Sequence, residues 1–324
     1  MTRVKKPDPC AILSSAGASF LILLPMLLHE QDMYFRVLGM AFFYGALAFS
    51  WNLYALTGAI SLGHAAFFGL GAYGAALSSH YWQLSPYGAV LLGGVLGTAY
   101  AILWSIAFKS LRGAGLALAT LASVEIPKVI IDNWDSFTFG SLGIVGIPSF
   151  PSLHLGKLVL AFGQNLKAQY YLLLCFMLVV GFIHRKAIIS GWGWAIRAVR
   201  EDETAAAALG VSVWGTRFKA LLLSAFLTSI CGGMYAHLIG LIEPAMVFSL
   251  HISALPLVLS IFGGRYQSYG PLLGALILYP LDQFILHAWL PAGHAAVYGL
   301  VVILTLLFFP QGVGAWLQQR IKSV

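Results

Sequence analysis

The sequence predicts an all-α polytopic membrane protein with about ten transmembrane helices, some of them broken. Of its 324 residues, 60% are hydrophobic and only 9% are charged, whereas a soluble domain carries about 25% charged residues. The mean hydropathy is +0.86, and several apolar segments approach the roughly 20 residues that a helix needs to cross a bilayer. Because one water-soluble globule cannot bury so much apolar surface, the bilayer is the expected solvent.

The apolar segments define ten predicted spans in chain order, of which 58–80 and the 250–288 region are interrupted by glycines: 11–28, 34–55, 58–80, 86–108, 113–131, 168–184, 217–239, 250–262, 270–288 and 294–309. The first follows a basic start but lacks a small-residue cleavage site at its end, so we expect an uncleaved span. We expect one transmembrane domain over 1–324, with an outer loop at 132–167 and a cytoplasmic loop at 185–216. Five spans on each side of the outer loop leave a 5+5 inverted repeat open.

The distribution of positive charge sets the predicted orientation. With ten spans and a cytoplasmic start, both termini are cytoplasmic, and 14 of the 18 Lys and Arg residues lie on the inner side. This is the direction that the positive-inside rule requires. The net charge of +7 is therefore explained by topology. No basic patch interleaved with aromatic residues indicates nucleic-acid binding.

The predicted cytoplasmic loop contains a polar segment, RAVREDETAAAALG at 197–210. Alanine propagates a helix well, Gly210 is suited to end it, and Asp202 or a neighbouring acid is suited to cap its start. We therefore expect one helix, preceded by Gly191 and Gly193, that docks into a groove of a cytoplasmic partner; the alternative is a solvated connector. The candidate coupling residues are Arg197, Arg200, Glu201, Asp202, Glu203, Ala206, Ala207 and Gly210.

Polar side chains at membrane depth are costly and are therefore candidates for a solute pathway. The residues of this kind are Asn52, Ser61, His64, Thr120 and Glu125. Each has a structural alternative. A histidine such as His64 also serves as a hydrogen-bonding link between helices, and Glu125 lies three residues before Lys128, at the spacing of a helical ion pair.

Asp282, in the ninth predicted span, is also a membrane-depth acid and has Gln283 and His287 nearby. A helix–helix hydrogen bond is the structural alternative for this residue. The chain contains no G-x-x-x-x-G-K-[ST], H-E-x-x-H or G-x-S-x-G motif. Its cysteines, Cys10, Cys175 and Cys231, lack metal-ligand spacing. We therefore expect a non-enzyme that has no catalytic residues and binds neither a metal nor a cofactor.

Several motifs in order resemble the LivM-like permeases, which are the branched-chain amino acid subunits of bacterial ABC importers. They are ISLGHAAFFGLGAY at 60–73, LRG at 111–113, TLA at 120–122, GSLGIVGIP at 140–148, the 197–210 segment, FGG at 262–264, GP and GA at 270–275, and PQG at 310–312. The similarity runs from about 34 to 314. One departure is Ala114–Gly115, where the family more often has Tyr-Phe, which favours a roomier passage or a different cargo.

The resemblance implies a multi-pass subunit in the bacterial inner membrane. Its partners would be a second homologous permease, two cytoplasmic ABC ATPases that hold ATP and Mg, and a periplasmic or tethered solute-binding protein. Branched-chain amino acids are the first expected cargo, and urea, short amides or small carboxylates are alternatives within the same importer class. Three other classes are alternatives: an ion-coupled secondary transporter using Glu125, Asp282 or His64, a channel for small solutes, and an integral membrane enzyme, which the missing catalytic motifs disfavour.

Overall fold

A computed structural model describes residues 32–155, 158–163 and 165–286, with 297, 299–300, 303–304, 307, 309, 312–314 and 316. Within these residues the chain is built almost entirely from helices, so the predicted all-α class is confirmed. The α-helices are α1 (Asp32–Ala55), α2 (His64–Trp82), α3 (Pro86–Ala107), α4 (Gly113–Ala122), α5 (Glu125–Asp132), α6 (Asp135–Thr138), α7 (Leu166–Ile189), α8 (Gly191–Glu201), α9 (Glu203–Ala208), α10 (Val213–Ile239), α11 (Pro244–Val247), α12 (Leu250–Gly263) and α13 (Gly270–Leu281).

Six helical segments of the described residues are long and apolar enough to cross a membrane. They are Asp32–Ala55, Pro86–Ala107, Gly113–Asp132, Leu166–Ile189, Val213–Ile239 and Pro244–Gly263, with a shorter apolar segment at Gly270–Ile285. The predicted span 11–28 lies outside the described residues, and only scattered positions of 294–309 are described. The chain is therefore a polytopic membrane protein, while the count of ten spans and the inverted repeat stay predictions.

Some of the helices are interrupted, as predicted. The segment Gly113–Asp132 breaks into α4 and α5 at Ser123 and Val124. Pro280 lies inside α13, which passes into a π-helical turn at Asp282–Leu286. The predicted span at 58–80 begins as a helix only at His64, because the preceding residues form turns that include Gly58 at φ +84°.

Helix α2 is the centre of the bundle and packs between α3 and α10. Small residues permit this close approach. A Cβ on Gly71 would overlap the carbonyl of Ser229, and a Cβ on Gly232 would overlap the carbonyl of Phe68. Close backbone contact through small residues is the usual way to pack helices in a membrane, where lipid tails are as apolar as the side chains.

Helix α1 is the second element of the core, and it packs against α7, α10, α12 and α13. Its aromatic residues interlock with those neighbours. The ring of Phe42 lies 5.2 Å from that of Tyr170 in α7, and the ring of Phe43 lies 5.8 Å from that of Tyr235 in α10. Aromatic pairs at such distances stabilise a core beyond the area that they bury.

The predicted outer loop, 132–167, contains α6, a 3₁₀ turn at Gly140–Leu142 and short strands. Strand β1 (Ile144–Val145) pairs antiparallel with β4 (Leu241–Ile242), and β2 (Leu153–Leu155) pairs with β3 (Leu158–Leu160). The β1–β4 pairing joins the loop to the end of α10. His237 Nδ1 adds a hydrogen bond of 2.7 Å to the Pro148 carbonyl. The segment is thus held against the helical bundle.

Positive charge is concentrated at one end of the bundle. Nine of the twelve Lys and Arg residues that the structure describes lie in α8, or where α3, α7 and α12 end and α4, α10 and α13 begin, at 109, 112, 185, 186, 197, 200, 217, 219 and 265. We call this the basic end. The other three, Arg36, Lys128 and Lys167, lie at the opposite end, together with the outer loop.

Candidate coupling surface and buried polar network

The polar segment lies at the basic end, but the prediction of a single helix is wrong. It forms α8 and α9, which are separated at Asp202. The backbone of Asp202 is extended, with φ −155° and ψ 115°. Its side chain accepts hydrogen bonds from the amides of Thr204 at 2.8 Å and Ala205 at 3.0 Å. Asp202 thus starts a new helix and caps it.

Gly191 and Gly193 also differ from the prediction, because they lie inside α8. The residue that precedes α8 is Ser190, whose hydroxyl accepts a hydrogen bond from the amide of Gly193. A serine at this position satisfies an amide that the first helical turn leaves free. The helix therefore begins at Gly191 itself and not after Gly193.

The end of α9 agrees with the prediction for Gly210. This residue has φ +83°, and its amide donates to the Ala207 carbonyl at 3.0 Å, while the Val211 amide donates to Ala206 at 3.0 Å. This pair of bonds is a Schellman ending, which glycine adopts without steric cost. The hydroxyl of Thr204, followed by the two capping amides, holds the pKa of Asp202 below its ordinary value.

The arginines of α8 bind within the chain. Arg197 donates to the Ile188 carbonyl at 2.8 Å and stacks on the Trp194 ring at 4.3 Å, so it joins α8 to the end of α7. Arg200 pairs with Glu201 and lies 4.4 Å above the Tyr266 ring. These contacts fix the orientation of α8 against the bundle.

Glu203 links three separate segments of the basic end. One carboxylate oxygen accepts from Arg217 in α10 at 2.5 Å, and the other lies 3.0 Å from Arg112, just before α4. The side chains of Glu203 and Arg217 are only 22% and 20% exposed. We call this arrangement the Glu203 bridge. Ala206, 2% exposed, also faces inward.

The outward surface of α9 is small and apolar. Ala205, Ala207 and Ala208 are exposed, and Leu209 is 84% exposed. Of the predicted coupling residues, Glu201, Asp202, Ala207 and Gly210 share this exposure. Leu209 was missed in the sequence analysis, although it follows Ala205 by four residues and therefore lies on the same helix face. We call Ala205, Ala207, Ala208 and Leu209 the α9 face.

Three of the predicted pathway residues meet in the interior. His64 is 1% exposed, with Nδ1 3.1 Å from Ser61 Oγ and Nε2 2.8 Å from Ser224 Oγ. Because the Ser224 hydroxyl already donates to the Ser50 carbonyl at 2.7 Å, it accepts from Nε2–H, and the Ser61 hydroxyl donates to Nδ1. The neutral imidazole satisfies both nitrogens. Thr120 lies beside this network and accepts from the Leu62 amide at 3.1 Å.

Asn52 forms a separate link at the basic end. Its amide oxygen accepts from His184 Nε2 at 3.0 Å, and its amide nitrogen donates to the Arg265 carbonyl at 2.9 Å. Both of these hydrogen-bond partners are supplied by other parts of the chain. Asn52 thus joins α1 to α7 and to the turn that follows α12.

The acidic candidates lie apart from this network. Glu125 is exposed and forms the predicted ion pair with Lys128 at 3.4 Å. Asp282 is buried; Oδ2 accepts from Gln283 at 3.3 Å, while Oδ1 has no hydrogen-bond partner among the described residues. His287 lies outside the described residues. Over the described part of the chain, no three His, Cys, Asp or Glu side chains are placed to hold a metal ion.

Residues 33–309 match the family model described as the branched-chain amino acid transport system / permease component. The chain belongs to this family. Two curated relatives are the high-affinity branched-chain amino acid transport system permease proteins LivM of Escherichia coli (strain K12) and Salmonella typhimurium (strain LT2), at 25% and 26% identity over 284 residues. Each match covers 82% of this chain and 66% of the relative, just under two thirds of its length. No solved structure matches the chain.

For this permease-family chain, replacing His64 with alanine should lower the free energy of unfolding by about 2–4 kcal/mol, because a cavity forms and Ser61 and Ser224 lose partners. Denaturation in lipid-matched detergent measures the change. His80→Ala is the control, since His80 lies on the same helix but is exposed. Reduced solute uptake per inserted molecule with unchanged stability would instead place His64 in contact with the solute.

Replacing Glu203 with glutamine should release α9 from the bundle, because two arginines lose a charged acceptor. We expect hydrogen exchange across α9 to accelerate by roughly tenfold. Glu201→Gln is the matched control, since Glu201 is 71% exposed and Arg200 is its one ion-pair partner among the described residues. Equal exchange in the two variants would contradict an anchoring role for the Glu203 bridge.

Proposed function

We propose that this chain is one permease subunit of an ATP-driven importer for branched-chain amino acids or a related small polar solute. Family membership supports a transport role, and the relatives' names supply the solute class. A second homologous permease, two cytoplasmic ABC ATPases and a periplasmic or tethered solute-binding protein would complete the complex. ATP and Mg would be held by the ATPases, and this chain would perform no catalysis.

The basic end is assigned to the cytoplasm of a bacterial inner membrane. The nine-to-three distribution of Lys and Arg in the described residues supports this orientation, which also makes both termini cytoplasmic in a ten-span chain. Helices α8 and α9 would then face the ATPases, and the outer loop with its strands would face the solute-binding protein. In this orientation, each surface would lie on the side of the membrane where its proposed partner is expected.

The Glu203 bridge is the observation that carries the coupling proposal. It joins the start of α9 to α10 through Arg217 and to the start of α4 through Arg112. A force applied to the α9 face would therefore reach two separate membrane segments. The exposed alanines permit close approach to a groove, and Leu209 supplies an apolar contact.

Asn52, Ser61, His64 and Thr120 are proposed to hold helices together beside the passage. Their hydrogen bonds to other parts of the chain support this role. A bundle joined in this way would move as a unit when α9 is displaced. Glu125, which is exposed and paired with Lys128, is proposed to be a surface residue of α5.

ATP-dependent uptake in proteoliposomes tests the proposal. The chain, its partner permease, the ATPases and the binding protein are reconstituted, and labelled leucine, isoleucine, valine, urea and acetamide are supplied separately. We expect ATP-dependent accumulation of the branched-chain amino acids. Accumulation of urea or acetamide instead would reassign the solute. Accumulation by this chain alone on a proton gradient would indicate an ion-coupled transporter, and ATP-independent equilibration would indicate a channel.

Replacing Leu209 with glutamate should uncouple the ATPases, because a carboxylate would be buried in an apolar contact. We expect ATPase association to weaken by at least roughly tenfold and uptake to fall, with membrane insertion unchanged. Leu209→Met retains an apolar side chain and is the control. Co-purification of the ATPase subunits and uptake are measured together; wild-type values for the glutamate variant would remove the α9 face from the interface.

A further inference from the structure

A shallow cleft, partly open to the surface, lies at the basic end between the ends of α1, α3 and α10. It lies beside the Glu203 bridge, and Arg217 belongs to both. Its wall includes the aromatic and basic residues Tyr54, Trp104, Phe108, Lys109, Trp214 and Arg217. The wall is therefore aromatic and cationic, and no acidic residue from the described part of the chain lines it.

Positive charge in this region exceeds negative charge. Lys109 is exposed, and its Nζ lies 5.2 Å from the centre of the Trp214 ring. Arg112, 65% exposed, and Arg217 share the single carboxylate of Glu203. Lys109 lines the same cleft as Arg217 and has no carboxylate partner among the described residues, so positive charge is in excess here.

The aromatic side chains place the cleft at the membrane surface. Trp214 and Phe218 stack with ring centres 5.1 Å apart in the first turns of α10, and Trp214 is 41% exposed. Trp104 and Phe108 lie at the end of α3, with ring centres 5.4 Å apart. Tryptophans at the ends of membrane-spanning helices sit at the depth of the lipid headgroups. The cations therefore stand at the level of lipid phosphates.

We propose that this cleft binds the phosphate headgroup of an anionic phospholipid. Lys109 and the exposed edge of Arg112 would contact the phosphate, and Trp214 and Phe218 would pack on the glycerol and the upper acyl chain. Basic sites between membrane helices attract anionic headgroups, and each nearby cation adds to the attraction. The assignment to the cytoplasmic leaflet rests on the orientation proposed above; the binding site itself does not depend on the transported solute.

A lipid bound in this position would also affect the Glu203 bridge. A phosphate beside Arg112 and Lys109 would offset the excess charge around the Glu203 bridge. The arginines could then stay close together with less mutual repulsion. The docking of α9 would thus depend on the anionic fraction of the bilayer.

The test measures the association of spin-labelled phosphatidylglycerol and phosphatidylcholine with the full chain in phosphatidylcholine vesicles. We expect the wild-type chain to associate preferentially with phosphatidylglycerol. This preference should fall by roughly fivefold in the Lys109→Gln variant. It should fall further in the double variant Lys109→Gln with Trp214→Leu. Lys109→Arg should retain the preference. Lys186→Gln is the matched control, because Lys186 is also an exposed basic-end lysine over an aromatic ring, 5.5 Å from the centre of Phe182.

Equal association of the two lipids with the wild-type chain would overturn the proposal, and so would an equal loss in Lys109→Gln and Lys186→Gln. Competition by inorganic phosphate would also overturn it, because the site would then take a soluble anion instead of a lipid. None of these outcomes depends on ATPases or solute. Failure of the lipid site is therefore distinguishable from failure of the importer proposal.

Discussion

Hydrogen bonding without water is the constraint on which the rest of this structure depends. In a bilayer, each buried polar group needs a partner from the protein. The central helix begins at His64, where the chain has just left a turn with free backbone groups. Trp51 Nε1 donates to the Ser61 carbonyl at 2.9 Å, and Thr120 accepts from the Leu62 amide. Polar side chains that are costly to place in a membrane are thus the ones that supply hydrogen bonds to the backbone where the helix is interrupted.

The same constraint explains why glycine and polar residues occur together. Gly71 and Gly232 allow α2 and α10 to approach until their backbones touch. At that separation, the short hydroxyl of Ser224 reaches His64, and the hydroxyl of Ser229 reaches the Phe67 carbonyl at 2.8 Å. Larger side chains would separate the helices and break these bonds. Close packing and polar satisfaction therefore depend on each other.

Local features of the sequence predicted local structure well. The length of the apolar segments predicted the membrane helices, Gly210 predicted the end of α9, and the spacing of Glu125 and Lys128 predicted their ion pair. The helix break at Asp202 was harder to predict, because an aspartate within an alanine-rich, charged stretch suits either a helix interior or a cap. The partners of Glu203 could not be predicted from the sequence, since Arg112 and Arg217 are brought to it only by the packing of separate helices. Charge clustering indicated a contact surface, yet part of that charge is used inside the chain.

The division of the polar segment into two helices changes how motion could pass through it. One continuous helix would transmit a force along its axis into the bundle. With the extended residue Asp202 between them, α8 is fixed to the end of α7 by Arg197, whereas α9 is fixed to α10 and α4 by Glu203. In the proposed importer, a displacement of the α9 face would be taken up at Asp202 and directed to α10, the helix that packs on both α2 and α3. Because α10 also contributes Ser224 to the buried network, a movement that begins at the basic end would also displace the hydrogen bond between Ser224 and His64.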